Sequence, residues 1–214
     1  MRDRVNKLPI LLLGAGGHAR ACIDVIEQEG RFAVAGLVGL REEVGTQLLG
    51  YAVLGSDEDL PALLRDYKHA LVTIGHIKTP DGRIRLFNAI EKNNGTLPVV
   101  VSPRAHVSRH ATLGAGSIVM HGAIVNAGAT VGRNCIINSL ALVEHDAVVG
   151  DHCHVSTAAV INGGASVGAG TFIGSNSCVR DSIRLGERCL IGMGQNVLTD
   201  CAADTWLPSP KKPT

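Results

Sequence analysis

From Val101 to Ala202 the hydrophobic and polar positions recur every six residues without losing register. Each hexad opens on an aliphatic residue, from Val101, Val107 and Leu113 through Val143, Val149 and Val155 to Leu185, Ile191 and Val197. The fifth position is mostly small: Ala105, Ala111, Ser117, Ala123, Ala129, Cys135 and onward. A branched aliphatic and a small residue turned inward, with Gly, Asp or Asn between them, suits short strands joined by tight bends. Three such sides close one coil of eighteen residues, so the pattern predicts parallel coils stacked about 4.8 Å apart into a three-sided prism. Cys135, Cys153, Thr171 and Cys189, spaced by eighteen, are predicted to lie one above another inside it. No proline occurs between Arg104 and Leu207, as stacked strands with bonded N–H groups require.

The first hundred residues have a different rhythm. Leu8–Leu13 reads as a buried strand that runs into a glycine turn at Gly14, Gly16 and Gly17. An amphipathic helix carrying Cys22, Val25 and Ile26 follows, with Gly30 as its C-cap. Further strands are predicted at Phe32–Val38, Tyr51–Leu54, Ala70–Ile74 and Leu97–Val101. Ser56 is predicted to cap a helix with an acidic first turn, and a last helix covers Asp81–Lys92. Alternating strands and helices suggest a small open parallel sheet. The domains expected are therefore an α/β, Rossmann-like domain over 1–100, an all-β parallel helix over 101–202, and a tail over 203–214 that covers the prism's end or stays loose.

Composition narrows the function. Aromatic residues make up only 3% of the chain while glycine numbers 26, which favours a repetitive β-structure over a core of large rings. The formal net charge is +1, so neither nucleic acid nor an anionic membrane surface is an expected partner. The apolar run at Leu8–Leu13 is too short for a signal peptide, and no stretch is long enough to span a bilayer. The six cysteines include no CxxC pair and read as reduced, small core residues of a cytoplasmic protein.

Two places could carry chemistry. Gly14-Ala15-Gly16-Gly17-His18-Ala19 follows a strand and opens a helix, so backbone N–H groups and a helix N-terminus are available to a phosphate. A dinucleotide, a nucleotide-sugar diphosphate and a merely tight turn all fit. A dinucleotide usually also needs an acid at the end of the second strand, where this chain has Val38-Gly39. The second place is Glu144-His145-Asp146, with His145 and Asp146 at the third and fourth hexad positions, where prism corners lie. An adjacent carboxylate can orient the imidazole and raise its basicity if the corner turns both to one side. His152 and His154 invite a metal reading, but His154 lies half a coil from His145, so no metal is expected within one subunit. Asn126, Glu144 and Asn162 form a column, either a hydrogen-bond ladder or a ligand contact.

The hexads resemble the left-handed parallel β-helix of the hexapeptide-repeat acyltransferases; the left hand is implied by that resemblance, since the general crossover rule predicts the right. The pairing of GAGGHA at 14–19 with NSLALVEHDAVVGDHCHVSTAAVINGG at 138–164 resembles the family of sialic acid O-acetyltransferases and UDP-4-amino-sugar N-acetyltransferases. This resemblance implies acetyl transfer from acetyl-CoA to the 4-amino group of a UDP-linked 4-amino-4,6-dideoxy sugar, with sialic acid O-acetylation as the alternative and a metal-dependent β-helix hydratase as a more distant one. It implies His145 as general base, with Asp146 raising its basicity. Gly16, Gly17, His18, Val38, Gly39, Gly75, Asn138 and Glu144 fall at substrate positions, and His154, Ser175 and Met193 at acetyl-CoA positions. Since one prism supplies only one wall, a homotrimer with active sites between subunits is expected. The chain departs from the family at Val38-Gly39, where relatives can have two acids, at Met193, commonly glycine, and at Trp206-Leu207-Pro208-Ser209, where a Gly-x-Pro-Ala-Lys is usual.

Overall fold

A computed structural model describes residues 7–209. The chain forms two compact units: one takes the described residues up to Ile74 together with Arg85–Pro98, the other takes Gly75–Ile84 and the chain from Val99 onward.

The first unit is a five-stranded sheet. Its strands are β1 (Leu8–Leu13), β2 (Phe32–Val38), β3 (Gln47–Leu48), β4 (Tyr51–Gly55) and β5 (His69–Val72), in the order β3-β4-β2-β1-β5. All neighbours are parallel except the β3–β4 hairpin. Helix α1 (Gly17–Glu29) buries Ala19, Cys22, Ile23, Val25 and Ile26 and ends at Gly30, whose φ of 84° lets its N–H reach the Ile26 carbonyl. A core of Leu11, Leu13, Val38 and Val72 packs against Leu60 and Leu64 of α2 (Leu60–Asp66) and against Leu86, Phe87 and Ile90 of α3 (Asp81–Lys92).

Three expectations for this unit need correction. Helix α2 starts at Leu60, not after Ser56, because the Asp59 carboxylate turns back to accept from the Ser56 N–H at 2.9 Å and its hydroxyl at 3.1 Å. That bonding holds the acids in a turn ahead of the helix. The β3–β4 hairpin is an addition to the predicted elements, since a two-residue strand carries no periodicity. Leu97–Val101 is no strand of this sheet: Thr96 makes one bridge to His69, and Val100–Val101 already pairs with Ile118–Val119 in the repeat.

In the second unit, two-residue strands build three parallel sheets of six, five and seven strands. Partners lie eighteen residues apart, as in the series Ile136, His154 and Phe172. The hexad-opening aliphatics and the small fifth residues fill the interior, with Cys135, Cys153 and Thr171 at 0% exposure and Cys189 at 1%. Their polar hydrogens are satisfied there: Ser117 and Thr171 hydroxyls and Cys135 and Cys153 thiols donate to carbonyls of Gly132, Gly186, Gly150 and Gly168 at 2.8–3.1 Å. None of the six cysteines is in a disulfide. Every fourth hexad position from Gly116 to Gly194 is left-handed, with φ between 54° and 76°, and this turns each corner.

The end of the repeat departs from expectation. Leu185 bridges to Cys201, and Leu190–Ile191 pairs with Trp206–Leu207, so the last coil is two residues short and runs past Ala202. The first residues of the expected tail are therefore a stacked strand; residues 210–214 lie outside the described part. No helix among the described residues is long and apolar enough to cross a membrane.

Candidate active site

The Glu144-His145-Asp146 corner follows the strand Leu142–Val143. Asp146 takes the left-handed position, φ 59°, which swings its carboxylate to the His145 side. The His145 Nδ1–H donates to Asp146 Oδ2 at 3.0 Å, leaving the Nε2 lone pair free to take a proton. Both side chains are exposed, at 66% and 72%. The Asp146 hydrogen bond is the main cause that holds the His145 pKa above the ordinary histidine value, and the nearby Asp146 and Glu144 charges add to it. His145 opens onto a polar recess lined by Glu144, Asn162, Gly163, Asp181 and Ser182.

Two glycines shape this corner, and neither stands out in the sequence. A Cβ on Gly163 would stand 2.6 Å from His145 Nε2, and one on Gly128 would collide with the Asp146 carboxylate. Each glycine lies eighteen residues from the group it accommodates, so the stacking rule alone could have found both. The column beside them is only partly a ladder. Asn126 Nδ2 donates to Glu144 Oε2 at 2.8 Å, and that oxygen also accepts from the His145 N–H at 3.1 Å, whereas Asn162 turns to the Val179 carbonyl at 2.8 Å.

His154 is placed quite differently. It is 8% exposed, and its Nδ1–H donates to the His76 carbonyl at 2.8 Å. A carbonyl can only accept, so Nε2 carries the lone pair, which receives the Asn138 amide at 3.3 Å. Phe172 stands edge-on to the His154 ring, and burial drives the His154 pKa down to about 4. His76, 7% exposed beside it, is lowered to about 3, mainly by burial. His154, Ser175 and Met193 line one cavity of about 430 Å³, together with Phe172, Leu190 and Trp206. Gly75 lies beside His154, where a Cβ placed on it would stand 3.7 Å from Cε1, and it belongs to the second unit and not with the glycine turn.

The glycine turn lines a separate cavity of about 300 Å³ in the first unit, where Gly14 and Gly16 meet Val38 and Gly39. Gly14 has φ 120° and no room for a side chain against Ile74, while a Cβ on Gly16 or Gly17 would meet nothing, so the space above the helix start is open. His18 lies on α1 with Nε2 3.4 Å from Cys22 Sγ. Among the described residues no three His, Cys, Asp or Glu side chains gather closely enough to hold a metal ion.

The family model for the PglD N-terminal domain matches residues 9–89, and that for the hexapeptide repeat of succinyl-transferase matches 164–198. A histidine-to-asparagine variant of perosamine N-acetyltransferase from Caulobacter crescentus, solved with CoA and GDP-perosamine, is 30% identical, with 92% of each chain covered and a TM-score of 0.86. The acetyltransferase domain of PglB from Neisseria gonorrhoeae, solved with acetyl coenzyme A, is 26% identical over 97% of this chain and 100% of that one, with a TM-score of 0.87. WeeI from Acinetobacter baumannii, 20% identical over 95% of this chain and 97% of that one with a TM-score of 0.65, shares the fold. No curated protein matches the sequence.

Proposed function

The chain belongs to the hexapeptide-repeat sugar N-acetyltransferases, an α/β domain followed by a left-handed β-helix that uses acetyl-CoA, and from that premise we propose that it acetylates the 4-amino group of a nucleotide-linked 4-amino-4,6-dideoxy sugar. The observation that carries this reading is the exposed His145, oriented through Nδ1 by Asp146 with Nε2 open to a polar recess.

The sugar amine attacks the thioester carbonyl as a neutral nucleophile. A C–N bond forms, the amine proton passes to His145 Nε2, and the tetrahedral intermediate collapses with loss of the CoA thiolate, which takes the proton in turn. Thiolate leaves readily, so no acyl-enzyme is needed. Most of the acceleration comes from holding amine and thioester together. His154, with Nδ1–H committed to the His76 carbonyl and Nε2 accepting the Asn138 amide, has no hydrogen to donate to the oxyanion and serves as a fixed wall of the acetyl-CoA cavity. The oxyanion's donor is a backbone N–H. His154, Ser175 and Met193 hold acetyl-CoA; Gly16, Gly17 and the Val38-Gly39 strand end hold the nucleotide.

UDP is the nucleotide expected from the sequence resemblance. The GDP-perosamine bound in the Caulobacter relative makes a GDP-sugar the second reading. In that relative two histidine variants were solved with CoA and GDP-perosamine bound, so that histidine is not required to assemble its complex. One prism supplies one wall, so we propose a homotrimer. The wall that runs into the His145 corner carries an outward, partly exposed apolar column of Ile124, Leu142, Val160 and Cys178 for neighbouring subunits. A cytoplasmic location goes with substrates of this kind.

The test is to supply acetyl-CoA with UDP- and GDP-linked 4-amino-4,6-dideoxy sugars, follow CoA thiol release, and identify the product by mass and NMR. An amide at C4 supports the reading. Acetyl found on a hydroxyl, or no transfer to any amino sugar, rejects it.

A further inference from the structure

Nucleotide sites built on a strand–glycine turn–helix usually read the ribose with a carboxylate at the end of the second strand. This chain has none within Leu37-Val38-Gly39-Leu40. An acid nevertheless stands at that place in space. After β2 the chain makes a single 3₁₀ turn, Arg41–Glu43, and the Glu43 side chain folds back so that Oε2 accepts the Leu40 N–H at 2.8 Å. A Cβ built on Gly39 would lie 2.6 Å from that oxygen. The missing side chain at 39 and the returning carboxylate thus occupy the same space.

On the nucleotide-sugar reading, we propose that Glu43 is the ribose-recognising acid of this site. Glu43, Gly39, Gly14 and Gly16 line one cavity, whose apolar walls at Val38 and Leu86 suit a base. A carboxylate only accepts hydrogen bonds, and one contact to Leu40 leaves acceptor capacity on both oxygens for the two O–H donors of a cis-diol. The other acid in the cavity, Asp57, is engaged by Arg85 at 2.5 Å. No cation pairs with Glu43 among the described residues, so its charge is not already spent. The constraint on Gly39 follows: any larger residue there would push the acid out.

Isothermal titration of the full chain with UDP, GDP and their 2′-deoxy forms tests this, comparing wild type with Glu43→Gln and Glu43→Ala. The wild type should prefer the ribo form of whichever nucleotide binds by about tenfold, the scale of a lost hydrogen bond to a charged group. Glu43→Gln, which keeps an oxygen to cap Leu40, should weaken the ribo form by about as much and leave the 2′-deoxy form unchanged. Acetyl-CoA affinity should not move in either variant. Equal loss of ribo and deoxy forms in Glu43→Gln would reduce Glu43 to a turn cap, and unchanged ribo affinity would remove it from the site; both overturn the proposal while the acetyltransferase reading stands. If wild type binds acetyl-CoA but neither nucleotide, the nucleotide-sugar reading fails and this proposal with it.

Discussion

Two histidines nine residues apart in one prism are driven in opposite directions. His145 sits on a corner in water, where a carboxylate one residue on raises its pKa. His154 sits on a wall beneath Phe172 and His76, where loss of solvent lowers its pKa to about 4. Near neutral pH the first can gain and lose a proton, while the second stays neutral, with both ring nitrogens tied to neighbours. The residue type is the same; hydration and one neighbour suit the first to the proposed role of base and the second to that of a neutral wall residue.

The sharpest way to break this contrast is to remove the exposed imidazole. His145→Ala should lower kcat by roughly a thousandfold with little change in the KM for acetyl-CoA, measured by thiol release. Near wild-type turnover would end its assignment as base. Gly163→Ala keeps an ordinary backbone but drives a methyl group into the His145 ring, and should cost about thirtyfold in kcat with an unchanged circular dichroism spectrum.

Asp146→Asn tests the electrostatic half of the comparison. A base works deprotonated, so kcat/KM should rise with pH through the His145 pKa, inflecting above 6.5 in the wild type. Without the carboxylate that inflection moves to lower pH, and the plateau falls by about tenfold because the imidazole is weaker and less well oriented. An unmoved inflection would show that Asp146 does not tune His145.

The smallest expected effect comes from the buried side. His76 and His154 have folded pKa values of about 3 and about 4, below the ordinary 6.5 of an unfolded histidine. Below pH 6.5 the unfolded chain takes up protons that the fold excludes. Their stabilising contribution is therefore complete above 6.5 and declines from there towards pH 4. Melting temperature should drop by roughly 5 °C between pH 7 and pH 5, and His76→Phe should flatten that slope. The raised pKa of exposed His145 acts with the opposite sign but weakly, since solvent screens it.

Where the chain repeats, its structure was legible residue by residue. Eighteen-residue stacking follows from aliphatic and small positions alone, and that register by itself puts His145 and Asp146 on a corner. In the α/β unit the long elements, Phe32–Val38 and Asp81–Lys92, carried enough pattern to read, but the hairpin at Gln47–Leu48 did not. Leu97–Val101 looks like a strand from its β-branched run. Which sheet takes it depends on partners distant in sequence, and only Val100–Val101 pairs, in the repeat.

Local order along the chain was thus decided by sequence periodicity, because side-chain direction in a six-residue coil is a property of each hexad. The tertiary structure alone decided what surrounds the other polar groups: the carboxylate of Glu43 against Gly39, and the dry pocket of His154. Proton affinity and the space left for a ligand depend on atoms brought together from distant parts of the chain, and no local pattern encodes that meeting.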